Sequence, residues 1–152
     1  MWDEPGFQFF REHAVIGVVL VTHTEYGAYL LKAAELILGP QQDCYFVSVD
    51  VTKEVEKSLS EIRKSVKSAD HGPGVVILTD MFGGTPTNLS LSLLNKNEHQ
   101  LEVITGVNLP MLLRVLGSRK LSLAELAKEA KAAGSQGIVV AGDLLRSKVA
   151  KE

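Results

Sequence analysis

A single cysteine, Cys44, stands in the whole chain, so no internal disulfide can brace it and the fold must rest on a packed core. Cys44 lies between Asp43 and Tyr45 with no partner nearby for nucleophilic work, and reads as a small buried or half-buried thiol. A reducing compartment is compatible with such a chain. Neither sign of charge dominates: sixteen Lys and Arg face eighteen Asp and Glu, a formal net charge of −2. That excludes a nucleic-acid protein relying on a broad basic surface, and no nucleic-acid partner is expected. Long apolar runs are missing too. The longest, Ala14–Val21, falls far short of the ~20 residues that cross a bilayer. The start, Met-Trp-Asp-Glu-Pro, has no basic region of a secretory signal. A cytoplasmic protein without direct membrane insertion is the expectation.

Several chemical signatures are absent as well. No Gly-x-x-x-x-Gly-Lys-Ser/Thr occurs, which disfavours a Walker-type nucleotide site. The first strand–helix turn, Thr22-His-Thr-Glu-Tyr-Gly27, is not the glycine-rich dinucleotide turn. Without a Gly-x-Ser-x-Gly elbow a serine hydrolase is disfavoured. Strand one is not followed by an acidic cluster, which disfavours a magnesium-dependent phospho-aspartate receiver. No His, Cys and Asp set has a zinc spacing, so no metal and no cofactor are expected.

What is present is a rhythm. At 152 residues the chain fits one domain of the usual ~100–200 residues. From Ala14 short apolar runs alternate with helical periods. Strands are expected at about 15–22, 44–49, 74–79, 101–105 and 137–141. The helix at about 25–38 carries Leu30, Leu31, Ala34 and Leu38 on one stripe, and Gly39-Pro40 stops it. A second begins after Thr52, with Val55, Leu59, Ile62 and Val66 on its apolar face. Lys53, Glu54, Glu56, Lys57, Arg63 and Lys64 make a solvated outer face. A third starts at Thr85-Pro86, where Thr can cap and Pro fits the first position, and runs to about Leu94. A short helix follows at about 109–116. Ser122-Leu-Ala-Glu125 is a capping box opening a helix to Ala133. Residues 1–13 read as an N-terminal extension ahead of a domain at 14–142, with Trp2, Phe7, Phe9 and Phe10 concentrating aromatics there. Residues 143–152 read as a mixed-charge tail that frays. Alternating strands and helices imply an α/β fold, doubly wound around a mostly parallel sheet with helices on both faces.

Two strands end alike. Gly-Val-Val-Leu-Val-Thr runs into His23, and Gly-Val-Val-Ile-Leu-Thr into Asp80. Side by side in a parallel sheet, they bring an imidazole and a carboxylate together at the carboxyl edge, where open α/β sheets bind ligands. His23 is either a reactive group or a cap for the following helix. Asp80 either bonds backbone a few residues on, or accepts a proton from one nitrogen of His23, fixing its tautomer and freeing the other as a nucleophile. Gly83-Gly84-Thr85-Pro86 is either an ordinary turn or a place where backbone N–H groups and the start of a helix meet a phosphoryl group. Thr22, Thr24 and Thr79 are donors or, more safely, strand-end residues. His13, His71 and His99 read as surface histidines.

These residues have a family look. Val-Thr-His (21–23), Leu-Leu-Lys-Ala-Ala-Glu (30–35), Asp-Met-Phe-Gly-Gly-Thr-Pro-Thr-Asn (80–88) and Thr-Gly-Val-Asn-Leu-Pro-Met-Leu (105–112) together resemble the enzyme IIA domain, mannose family, of the bacterial phosphoenolpyruvate-dependent sugar phosphotransferase system. The resemblance spans about residues 14–142. It implies a sheet of order 2-1-3-4 and a homodimer that exchanges a last antiparallel strand, here Gly137–Ala141. It implies that His23 is the phosphorylated histidine, that Asp80 hydrogen-bonds its ring, and that Gly83, Gly84 and Thr85 surround the phosphoryl group. A histidine-containing phosphocarrier protein would be the donor. A IIB component would be the acceptor and would phosphorylate the sugar at a membrane permease.

The chain also departs from that pattern. Thr24 stands where the family usually has Gly after the histidine. Residues 1–13 are extra, and no IIB domain follows, so a separate acceptor is expected. The expected function is therefore a phosphotransferase working through a phosphohistidine. A non-transport regulator signalling through the same histidine, and a plain anion-binding module, are the alternatives. The sugar is not written in the residues.

Overall fold

The four expected strands up to residue 105 form. The computed structural model describes residues 14–151, so the expected extension 1–13, with His13, lies outside the described residues. β1 (Gly17–His23), β2 (Cys44–Val49), β3 (Val75–Thr79) and β4 (Leu101–Thr105) make one parallel sheet in the order β2-β1-β3-β4. β1 and β3 pair centrally, with Gly17 opposite Val75 and Val21 opposite Thr79. Every residue of β3 is buried, as expected of a strand covered on both faces.

Alternation along β1 divides the core in two. Val18 and Leu20, with Val76 and Leu78, face α1 (Tyr26–Leu38), α4 (Leu109–Gly117) and α5 (Leu123–Gln136), meeting Leu31, Ala34, Met111, Leu112, Val115, Leu126 and Ala130. Val19 and Val21, with Val75 and Ile77, face the other way. They meet Ile62, Val66 and Ala69 of α2 (Val55–Ala69) and Leu89 of α3 (Thr85–Leu91). Each fully buried Val, Leu or Ile contributes about 1.5–3 kcal/mol, so both layers are needed. Gly17 lets α2 press on the sheet: a Cβ there would lie 2.3 Å from the Ala69 carbonyl oxygen.

The amino edge of the sheet is tied by Arg119, only 8% exposed. Its Nε donates to Ile16 O (2.7 Å) and its Nη1 to Gln42 O (2.7 Å). These carbonyls precede β1 and β2 and have no ladder partner there. Cys44 beside them is half-buried, and burial pushes its thiol up to about 11. It is the inert small thiol the sequence suggested.

Four details differ from the sequence reading. Leu38 and Val55 are 46% and 55% exposed, because the apolar stripes of α1 and α2 are narrower than their hydrophobic spacing suggests. The helix expected to reach Leu94 stops at Leu91, and a 3-10 turn follows at Leu94–Lys96. Ser90 and Ser92 hydroxyls donate back to the Pro86 and Leu89 carbonyls, a bonding mode that weakens a helix. No strand forms at 137–141. Gly137 closes α5 through Ala133 O, and residues 138–140 have no regular structure. A fifth strand needs a ladder partner, and among the described residues the segment finds none. The tail does not fray from Asp143 but forms α6 (Ala141–Val149), helped by an Asp143–Arg146 ion pair one turn apart.

Candidate functional site

His23 and Asp80 meet at the carboxyl edge. The ladder between β1 and β3 ends at Val21 opposite Thr79. Just beyond it the Asp80 side chain takes the place of a paired strand. Asp80 Oδ2 accepts the His23 backbone N–H at 2.9 Å and approaches His23 Nδ1 at 2.7 Å. Asp80 Oδ1 accepts the Met81 N–H at 3.0 Å. One carboxylate therefore holds both the backbone and the ring of the histidine. An ionised carboxylate only accepts, so the ring proton sits on Nδ1 and Nε2 is left with its lone pair free.

The electrostatics suit that assignment. Burial pushes the Asp80 carboxyl up, but hydrogen bonds from the His23 backbone and ring, with the ring's charge, outweigh it. They hold the carboxyl below its ordinary value. The His23 side chain is 37% exposed and that of Asp80 15%. The acid is sheltered while the ring can be reached.

The Gly83-Gly84 turn comes up against the ring. A Cβ on Gly84 would lie 2.8 Å from His23 Cε1 and 3.4 Å from Nε2, so a bare backbone is what leaves Nε2 open. Gly83 has φ +84°, a left-handed conformation that glycine adopts without cost. Gly84, not Thr85 as expected, is the N-cap of α3, so Pro86 is its second residue rather than its first, and the Gly84 carbonyl accepts the Asn88 N–H. Thr85, half-buried, opens the helix beside it. The structure thus brings His23, Asp80 and Gly84 together, with Gly83 and Thr85 on either side of Gly84 in the chain.

The other threonines have separate work. The Thr22 hydroxyl accepts the Gly27 N–H (2.8 Å) and donates to Thr24 O, which caps α1. Thr79 is fully buried against Thr87. Both fit the strand-end reading. Thr24 is exposed with φ +50°, so it occupies the left-handed conformation that glycine would take more easily. His71 pairs with Asp43 at the surface. His99 is not a plain surface residue: its Nδ1 lies 2.6 Å from Asp70 Oδ2, with only 23% of its side chain exposed. That pair joins the end of α2 to the loop before β4, at the amino edge, away from His23.

Sequence reasoning passed over Tyr26, whose hydroxyl ties the start of α1 to Val107 O just after β4, and over Thr87. It also passed over Met81 and Phe82, 56% and 76% exposed beside Asp80. Two large apolar side chains between a strand end and Gly-Gly were the available signal. Among the described residues no three His, Cys, Asp or Glu side chains gather as a metal site, and no helix is long and apolar enough to cross a membrane.

A doubly wound α/β protein with a histidine–carboxylate pair at the carboxyl edge of its sheet is the class these features define. The family model EIIA-man, described as PTS system fructose IIA component, matches residues 17–132, and the chain belongs to this IIA family of the phosphotransferase system. The PTS system mannose-specific EIIAB component of Escherichia coli K12 is 33% identical over 125 residues, 81% of this chain and 38% of that protein. The chain thus spans well under half the length of that relative. The PTS system fructose-specific EIIA component of Bacillus subtilis 168 is 27% identical over 132 residues, 86% of this chain and 90% of that one. Two solved structures share the fold. The phosphotransferase system component EIIA from Streptococcus agalactiae superimposes with a TM-score of 0.77 at 24% identity, covering 84% of this chain and 98% of its own. The mannose/sorbose specific IIA subunit from Enterococcus faecalis gives 0.75 at 24% identity, covering 83% and 94%. The resemblance drawn from the motifs and the sheet order it implied are both borne out.

Proposed function

We propose that the protein is a cytoplasmic phosphoryl carrier, in which His23 Nε2 accepts a phosphoryl group from the histidine-containing phosphocarrier protein and passes it to a IIB component for sugar uptake. The observation that carries this reading is the 2.7 Å contact between His23 Nδ1 and Asp80, with Gly84 next to the Cε1–Nε2 side of the ring, where a Cβ would have no room.

The chemistry balances with the groups present. The Nε2 lone pair attacks phosphorus as the nitrogen–phosphorus bond of the donor breaks, and the donor imidazole leaves with that electron pair. His23, still protonated on Nδ1, becomes a cationic phosphoimidazolium. The Asp80 carboxylate, kept ionised, offsets that charge. The transferred group carries roughly −1.5 to −2 charge, and the turn at Gly83, Gly84 and Thr85, which brings Gly84 up to the ring and opens α3, would supply backbone N–H donors to it. The second transfer runs the same steps in reverse, onto the IIB acceptor. Positioning and charge are the main demands of phosphoryl transfer, and the site supplies both.

A homodimer is part of the proposal. The outer edge of β4 has no strand partner among the described residues, and Ile138, Val139 and Val140 are 78%, 53% and 66% exposed. A second copy would cover such a segment.

The test is incubation with phosphoenolpyruvate and the two general proteins of the system, followed by mass spectrometry. One added phosphoryl group, stable to alkali and lost in acid, is expected, and none on His23→Ala. Full labelling of His23→Ala would end the proposal.

A further inference from the structure

The turn that carries Asp80 has no apolar anchor of its own. Met81 and Phe82 are mostly exposed, and Gly83 follows in a left-handed conformation. Its first peptide is tied to the core by two hydroxyls instead. Thr79, the last residue of β3, and Thr87, the third residue of α3, are 0% and 1% exposed. Their Oγ1 atoms lie 2.7 Å apart, and Thr87 Oγ1 donates to Met81 O at 2.6 Å. A hydroxyl has one proton. Thr87 gives its proton to the Met81 carbonyl, so Thr79 must donate to Thr87. The chain of donors has one direction, from Thr79 through Thr87 to Met81.

The Met81 N–H donates to Asp80 Oδ1, while Asp80 Oδ2 takes both His23 donors. The carbonyl and the N–H of one residue, Met81, thus link the buried hydroxyls to the carboxylate that orients the histidine. We propose that Thr79 and Thr87 are positioning residues for His23: their hydroxyl relay fixes the turn so that Asp80 holds the ring with its proton on Nδ1. The proposal deepens the carrier reading and rests on it, since the ring matters only if His23 reacts.

Thr87→Val keeps the shape and removes the relay. Thr87→Ser keeps the hydroxyl. Thr79→Val leaves the Thr87–Met81 bond but takes away its donor. Ile62→Val, in the same core layer on α2, is the control for ordinary loss of packing. Two readouts are taken on the full chain: the ¹⁵N shifts of the His23 ring across pH, and the rate of phosphoryl uptake from the phosphocarrier protein. The wild type and Ile62→Val should show one tautomer, protonated on Nδ1. Thr87→Val should show mixed tautomers and uptake slowed roughly tenfold, as expected when a reacting group is slightly misplaced. Thr79→Val should fall between, and Thr87→Ser should restore both readouts. A Thr87→Val protein with wild-type tautomer, pH profile and uptake would overturn the proposal. If Thr87→Val does not fold, an unchanged ring in Thr79→Val overturns it equally. If the wild type takes up no phosphoryl group, the carrier reading fails, while the ring shifts still decide whether the hydroxyls orient His23.

Discussion

At the scale of single residues, the site depends on what Asp80 and Gly84 do to one imidazole. Removing the carboxylate in Asp80→Ala should leave slow labelling, down on the order of 10²-fold, because the nucleophile remains but its orientation is lost. Initial rates of phosphoryl uptake check this. Asp80 also gives a pH signature. Its folded-state pKa is depressed, so its contribution to stability is complete above the unfolded value of ~3.9 and is lost as pH falls through the folded value. Chemical denaturation from pH 7 down to pH 3 should show this loss in the wild type and a smaller one in Asp80→Asn. Gly84→Ala separates sterics from backbone strain. Gly84 has an extended backbone, φ −88° and ψ 167°, that alanine adopts freely. The new Cβ would meet the His23 ring at 2.8 Å, so uptake should drop by about tenfold or more while the melting temperature changes little. These contacts were half legible beforehand. Matching strand ends located His23 and Asp80, and Gly-Gly marked the turn. The hydroxyl pair was not legible, because Thr79 and Thr87 are ordinary threonines until the chain brings them to 2.7 Å.

At the scale of elements, local rules predicted best where the decision was local. The capping box forms as written: Ser122 Oγ accepts the Glu125 N–H and Glu125 Oε2 accepts the Ser122 N–H. Ser122→Ala should therefore cost about 1 kcal/mol, measured by urea denaturation, with uptake by His23 unchanged. β2 and β4 fall where the apolar runs put them. The misreadings occurred where a packing neighbour was missing or a side chain competed for the backbone. Leu38 lies on the helical stripe by spacing but at the far end of α1, where no described element covers it. The third helix broke because its serines bond its own backbone. The run Gly137–Ala141 has the composition of a strand, but strand formation depends on a partner edge and not on composition.

At the scale of the whole molecule, two apolar layers pack on one sheet, and the His23–Asp80 pair stands at its carboxyl edge. The segment after α5 is an exposed apolar stretch, with Ile138, Val139 and Val140 78%, 53% and 66% exposed. If a second copy covers it, sedimentation velocity should give a dimer for the wild type and a monomer for Ile138→Asp with Val140→Asp, with the far-ultraviolet circular dichroism of α1–α5 retained. A wild type that remains a monomer at tens of micromolar would remove the dimer from the proposal.

The sequence by itself determined the alternation of strands and helices, since runs of Val, Ile and Leu and 3.6-residue periods are local properties that solvent exclusion turns into elements. It also determined which side chains end the two central strands. Only the tertiary structure decided that one carboxylate would hold both the backbone and the ring of His23, that a bare Gly84 would come up beside the ring, and that residues 138–140 would form no strand among the described residues. Those outcomes depend on distances between residues far apart in the chain, 57 positions for His23 and Asp80, and such distances are set by packing rather than by any local pattern.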